Sequence, residues 1–490
     1  MKTRLQTAVL ALALAATPAF AADDLTSLTA GEAAKAIADG KITSESLVEA
    51  LLARAKANEA GHAFITLDGD GALAAARAAD ATIAKGEAAG PLAGVPIVVK
   101  DNISSAGLPT TAGTPALKDW VPTTDAPVLA KLKAAGAILL GKTNMHELAF
   151  GITSNNAAFG AVANAHDPSR FAGGSSGGTG AAVGGRMAPA GLGTDTGGSV
   201  RIPAALNGVA GLRPSVGRYP QAGIVPISHT RDTAGPIARS ISDLVLFDGV
   251  ITGDAMTLEP ADPKSLRIGV PSAFNDNVDP ETGRLMKAAL KALEDAGATL
   301  VPLDMSEVIS LNDKIGFPVA LWEAKGDISA FLKHAGTGIT IEDMAAKVAS
   351  PDVKFVFDEL ILGDKSIPEE VYLAAINDFR PKLQALYAET FVVNDLDAIA
   401  FPTTPLPAQP IAGSDETVKL NGQDVPTFQT FIRNTDPGSN AGIPGLTLPV
   451  GLTRDGLPVG LELDGPAFSD RHLLAIGLTL EGLLPTMPAP

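Results

Sequence analysis

The 490-residue chain has no cysteine. That absence excludes a thiol nucleophile, a disulfide framework, an iron–sulfur cluster and any cysteine-ligated zinc. It has no block of lysine or arginine either, and 54 acidic residues outnumber 37 basic ones for a formal charge of −17. Nucleic acid and anionic membrane surfaces would repel such a chain, so neither is an expected partner. Charged residues make up only 19% of the sequence and hydrophobic ones 46%, the balance of a well-buried globular protein and not of a disordered one. Long hydrophobic runs are missing except near the start, where Ala8–Ala16 is continuously apolar. That run is too short for a hydrocarbon core, which needs about 20 residues.

What is present at the N-terminus reads as a targeting segment. Lys2 and Arg4 precede the apolar run, and Ala19-Phe20-Ala21 has the A-x-A form of a signal-peptidase site. The expectation is a signal peptide over residues 1–21, cleaved near Ala21, with residues 22–490 forming one catalytic domain in the periplasm or outside the cell. A chain without thiols suits an oxidising compartment. No lipidation cysteine follows the cleavage site, so the mature protein is expected to be free of a lipid anchor.

Further along, apolar residues recur at helical spacing from Ala33 to Ala55, with Thr43-Ser44-Glu45-Ser46 offering caps between two helices. Val95-Pro96-Ile97-Val98-Val99 reads as a buried strand that delivers Lys100 at its end. Val128–Ala135 followed by Ala137–Gly141, and Leu266–Val270 followed by Leu285–Ala296, alternate strand and helix, which favours α/β layering. A more helical segment is expected around 310–390, and two strands at 446–464 around the Gly456-Leu457-Pro458 turn.

The stretch 171–211 is dense in glycine and poor in charge, so something must approach its backbone closely. It holds Gly173-Gly174-Ser175-Ser176-Gly177-Gly178 and Gly193-Thr194-Asp195-Thr196-Gly197-Gly198-Ser199-Val200-Arg201-Ile202-Pro203, with the two serines 24 positions apart. These blocks, together with a lysine ending an upstream apolar strand, resemble the amidase signature family. The resemblance runs on through Gly141–Met145, Arg231–Pro236, Pro402–Pro405 and Asn440–Gly445. It implies an α/β fold with a large mixed, twisted β-sheet covered by helices on both faces, and hydrolysis of linear amides without a cofactor or metal. The implied roles are Ser199 as nucleophile, Ser175 as a bridging serine after a cis Gly174–Ser175 bond, and Lys100 as general base.

Elementary chemistry agrees with these roles. A lysine accepts a proton only when neutral, and delivery into a closed apolar site lowers its pKa. A hydroxyl both donates and accepts, so Ser175 can relay a proton between Ser199 and Lys100. The backbone N–H groups of Thr196, Gly197, Gly198 and Ser199 are the expected oxyanion site. Asp195 and Arg201 are expected to form an ion pair that fixes the nucleophile turn. Thr179 stands where the family often has Ser or Ala. Met145 and Ser176 are carried as substrate contacts, with bonding to a neighbouring loop as the alternative for Ser176. Phe150, Ile152 and the 428–432 stretch are further candidates for the cavity wall. The segment 142–163 and the Arg231 region look most like the indoleacetamide and mandelamide hydrolase branch, which implies a small aryl- or alkyl-substituted amide as the partner, with a homodimer left open.

Rival readings are weaker. Gly173-Gly174-Ser175-Ser176-Gly177 fits G-x-S-x-G, the nucleophile elbow of Ser-His-Asp esterases, and His229, His334 and His472 are formally available to it. An elbow needs a hydrophobic strand before it, and Asp167–Ala172 is not one. His146-Glu147 does not complete H-E-x-x-H because residue 150 is Phe. A partner-dependent amidotransferase subunit is disfavoured by the signal segment, since that chemistry is cytoplasmic. A solute-binding protein has no need of a Lys-Ser-Ser set.

Overall fold

A computed structural model describes residues 22–87, 90–254 and 257–490, so the expected signal peptide lies outside the described residues. Among those residues the chain builds an eleven-stranded mixed sheet. In chain order its strands are β1 (Phe64–Leu67), β2 (Pro96–Lys100), β3 (Ile138–Thr143), β4 (Ala190–Asp195), β5 (Ala210–Arg213), β6 (Thr233–Ala238), β7 (Arg267–Pro271), β8 (Thr299–Leu303), β9 (Ala398–Pro402), β10 (Gly445–Leu452) and β11 (Pro458–Asp464). Their spatial order is β1-β3-β2-β4-β6-β5-β10-β11-β9-β7-β8. The pairs β2/β3, β2/β4, β7/β9 and β7/β8 are parallel, and the other neighbours are antiparallel.

Helices cover both faces, as β9 shows by its alternation. Ala398 and Ala400 join the large core under the helices Ala30–Ala38, Ser44–Ala57, Ile241–Thr252 and Asp470–Leu483. Ile399 and Phe401 point the other way, into a separate core built by Ser306–Asn312, Gly316–His334 and Arg380–Val393. The central strands β2, β3, β4 and β6 are buried along their whole length, which is why they read as apolar or small-residue runs rather than as alternating patterns. Thr43 caps the helix Ser44–Ala57 in a reciprocal box with Ser46, and Asp68 caps Gly69–Ala84. No helix among the described residues is long and apolar enough to cross a membrane.

Two adjacent parallel strands, β2 and β4, third and fourth in the spatial order of this sheet, end side by side. Lys100 ends one, and the turn carrying Thr196–Ser199 leaves the other. The segment of Ser175 enters beneath them through the helix Gly177–Gly184. That helix lies so close that a Cβ on Gly178 would run into the backbone of Ala63 and Asn144, which accounts for the glycine density there.

Candidate active site

Lys100 is fully buried, and its Nζ reaches Ser175 Oγ at 2.7 Å, Thr194 Oγ1 at 2.8 Å and the Thr194 carbonyl at 3.5 Å. Asn102 Nδ2 donates to the same Thr194 hydroxyl at 3.0 Å, holding it as an acceptor for the lysine. Burial drives the Lys100 pKa down to about 7, against the opposing pull of the Asp195 and Asp232 carboxylates. The Gly174–Ser175 peptide is cis. Directly after it, the Ser176 N–H donates to the Ser199 carbonyl at 3.1 Å and ties the two serine segments together.

Asp195 shapes the turn that carries Ser199. Its Oδ1 accepts from the Gly198 N–H at 2.8 Å and its Oδ2 from the Val200 N–H at 3.1 Å. Arg201 and Arg213 bind it from behind, each at 3.0 Å, and Arg201 also pairs with Glu462, so the ion pair expected from the sequence is part of a four-membered buried network. Burial opposes ionisation of Asp195, but the two guanidinium groups outweigh it and hold the carboxyl far below the usual range.

These bonds correct the expected oxyanion site. The Gly198 N–H is spent on Asp195, and Gly198 does not line the cavity, whereas Thr196, Gly197 and Ser199 do. Arg231 Nη2 donates to the Thr196 carbonyl at 3.2 Å and Thr435 Oγ1 to the Gly197 carbonyl at 2.6 Å. In a trans peptide the N–H points opposite to the carbonyl, so the first bond aims the Gly197 N–H away from Arg231 and the second aims the Gly198 N–H at Asp195. Gly198 is still required: its φ is +144° and a Cβ would strike the Thr435 side chain. Asp232 holds the turn from another side, accepting from Thr196 Oγ1 at 2.6 Å and from the Ile227 and Ser228 amides at 2.8 and 3.0 Å.

Ser199 opens into a cavity of about 1010 Å³. Phe150, Ile152, Phe317, Phe428 and Ile432 give it an apolar wall, beside polar groups such as Gln429. Met145 and Ser176, the two expected substrate contacts, do not reach it. Met145 is fully buried behind the wall against Ala149 and Ile227. The Ser176 hydroxyl donates to the Thr194 carbonyl at 3.2 Å and accepts the Thr194 N–H at 3.3 Å, fastening the end of β4. Phe431 is also turned away, into a core cluster with Phe171.

Among the described residues no histidine lines the cavity. His229 pairs with Asp327 and His472 with Asp397, both at 2.9 Å and both far more exposed than Ser199. No strand runs into Ser175, so the nucleophile-elbow reading lacks both its strand and its base. Among the described residues one group of side chains could hold a metal ion: His229, Glu323 and Asp327, with ligand atoms within 4.8 Å of one another. They already bond one another and the hydroxyls of Ser228, Thr230 and Tyr372, and none lines the cavity. Thr194, Asn102, Arg213 and Thr435 went unread in the sequence, because single polar residues carry no spacing that marks them.

Comparison with known proteins agrees with this picture. A family model described as Amidase matches residues 46–474. A mandelamide hydrolase from Pseudomonas putida is 43% identical over 485 residues, covering 96% of this chain and 94% of the relative. An indoleacetamide hydrolase from Agrobacterium vitis is 45% identical over 436 residues, covering 89% and 92%. Among solved structures, the native peptide amidase from Stenotrophomonas maltophilia superposes with a TM-score of 0.80 at 28% identity, over 95% of this chain and 98% of that one. The extent of these matches, on a fold that sets Lys100 against Ser175 and opens Ser199 to the cavity, establishes that the chain belongs to the amidase signature family and is an amidase.

Proposed function

We propose that the protein hydrolyses small aryl-substituted carboxamides through a Ser199–Ser175–Lys100 relay and an acyl-enzyme. The carrying observation is the 2.7 Å contact between Ser175 Oγ and a buried lysine whose pKa is lowered to about 7. Ser199 Oγ attacks the amide carbon, its proton passes to Ser175 Oγ, and the proton of Ser175 passes to Lys100 Nζ. The oxyanion rests on the Thr196, Gly197 and Ser199 amides. Lys100 returns the proton through Ser175 to the leaving nitrogen, the C–N bond breaks, and ammonia or an amine departs from the ester on Ser199. Water enters along the same proton route and releases the carboxylate. Support for an aryl substituent comes from the phenylalanines lining the cavity and from the names of the mandelamide and indoleacetamide hydrolases.

The test is turnover of purified protein against aryl, alkyl and peptide amides, with Ser199→Ala as the blank. Hydrolysis of aryl acetamides together with fluorophosphonate labelling, both lost in Ser199→Ala, is the expected result. Label persisting on that variant would move the nucleophile elsewhere. Export belongs to the same proposal and is supported by the sequence of residues 1–21 alone. N-terminal sequencing of the protein recovered from the periplasm should begin at Ala22.

A further inference from the structure

Three non-glycine residues close together in sequence, Leu148, Ala149 and Ser154, have φ of 53°, 65° and 62°. Left-handed backbone at such residues persists only where surrounding contacts over-determine it, and it concentrates at functional sites. The contacts that determine this loop radiate from His146, a fully buried residue that the proposed mechanism does not use.

The His146 N–H donates to the Ser175 carbonyl at 3.1 Å. Its Nδ1 accepts the Ser154 N–H at 3.2 Å, and Ser154 Oγ in turn accepts the Gly177 N–H at 3.1 Å. An imidazole that accepts at Nδ1 carries its hydrogen at Nε2. That Nε2 therefore donates to Asp352 Oδ2, at 2.8 Å. Asp352 is half exposed and lines the same cavity as Ser199, as do Pro351 before it and Phe355, Val356 and Leu360 after it. Next in the chain, the Glu147 carboxylate accepts the Ala349 and Ser350 amides at 3.1 and 2.7 Å, and the Phe150 and Phe357 rings meet edge to face at 5.3 Å.

We propose that His146 is a positioning residue for substrate selection: through Asp352 it braces the 351–360 wall of the cavity against the backbone of Ser175, and so sets the fit of the amide's acyl substituent. The chemistry at Ser199 does not pass through this pair. A bulky acyl group that reaches the wall feels its position, and a short one does not. The inference rests on the proposed hydrolysis at Ser199 for its substrate class, but not for its geometry.

Two substitutions separate the bonds of the imidazole. His146→Gln places an amide nitrogen near the position of Nε2 and keeps the bond to Asp352. His146→Asn places its oxygen near Nδ1, keeps the Ser154 bond and drops Asp352. For a phenyl-substituted acetamide, His146→Asn and Asp352→Ala are expected to raise KM about tenfold with kcat within about threefold, and the double variant to be no worse than either. KM for propionamide stays unchanged in His146→Asn, and His146→Gln holds KM for the phenyl substrate near wild type. Additive losses, equal losses on the two amides, or a fall in kcat without a rise in KM would overturn the proposal. The ratio of Ser199 labelling rates by a phenylalkyl and an ethyl fluorophosphonate reads the same fit without turnover. A wild type that labels selectively but hydrolyses no amide would sink the proposed function and leave the brace standing. A ratio unchanged in His146→Asn would sink the brace alone.

Discussion

Lys100→Arg tests whether the buried cation acts as a base. A Lys100 pKa of about 7 means half the population is neutral at pH 7, against on the order of 0.03% for a lysine at the ordinary value of 10.5. Desolvation thus raises the competent fraction on the order of 10³-fold. At pH 5, two units below, about 1% is neutral, so kcat/KM should fall roughly 100-fold between pH 8 and pH 5 with an apparent pKa near 7. Arginine retains the charge but cannot be deprotonated, so the variant should lose at least roughly 10³-fold at every pH. A stability signature accompanies this. The folded pKa lies below the unfolded one, so the unfolded chain binds the extra proton between pH 7 and 10.5, and stability rises with pH through that window. The integrated difference is roughly 4–5 kcal/mol for this fully buried group. Lys100→Met removes that cost below pH 7 but leaves Ser175 without a partner and Thr194 with Asn102 alone, which takes back roughly 1–3 kcal/mol. The expected outcome is an inactive protein that melts higher than wild type at pH 6. Stopped assays across pH 5–9 and thermal unfolding at pH 6 and 10 measure both. A Lys100→Arg enzyme with near-native rate would refute the reasoning, as would an acid limb that survives in it.

Asp232→Asn removes one of the carboxylates that oppose desolvation of Lys100, so the acid limb should move to lower pH. Its plateau rate should fall less than about tenfold, because an asparagine oxygen can still accept from Thr196. Asp195→Asn takes the carboxylate from the buried Arg213, leaves Arg201 with Glu462 alone, and loosens the Gly198 and Val200 amides. Loss of roughly 3–5 kcal/mol in denaturant unfolding is expected, along with slower fluorophosphonate labelling of Ser199.

The stretch 171–211 was legible in sequence because its constraints are local. Its glycine density marks close packing, and Asp195 lies six residues before the Arg201 it binds; upstream, the β-branched strand Pro96–Lys100 is buried along its whole length. Residue type and spacing are enough to state such requirements. The capped helices and the alternation of strand and helix are local in the same sense, since propensity and periodicity act over a few residues. The oxyanion donors were not legible. Whether Gly198 offers its N–H to the cavity or to Asp195 depends on a dihedral of +144° and on Thr435, more than 200 residues away, pulling the neighbouring carbonyl. The cavity wall was legible in part: Phe150, Ile152, Phe428 and Ile432 line it, as their places in the sequence suggest. Met145 and Phe431 are apolar residues in plausible places, yet packing turns them into the core, while Phe317 and Phe355 from the helical segment reach the cavity in their stead. A side chain's type states what it needs; only the arrangement of elements distant in sequence decides whether solvent, core or cavity meets that need.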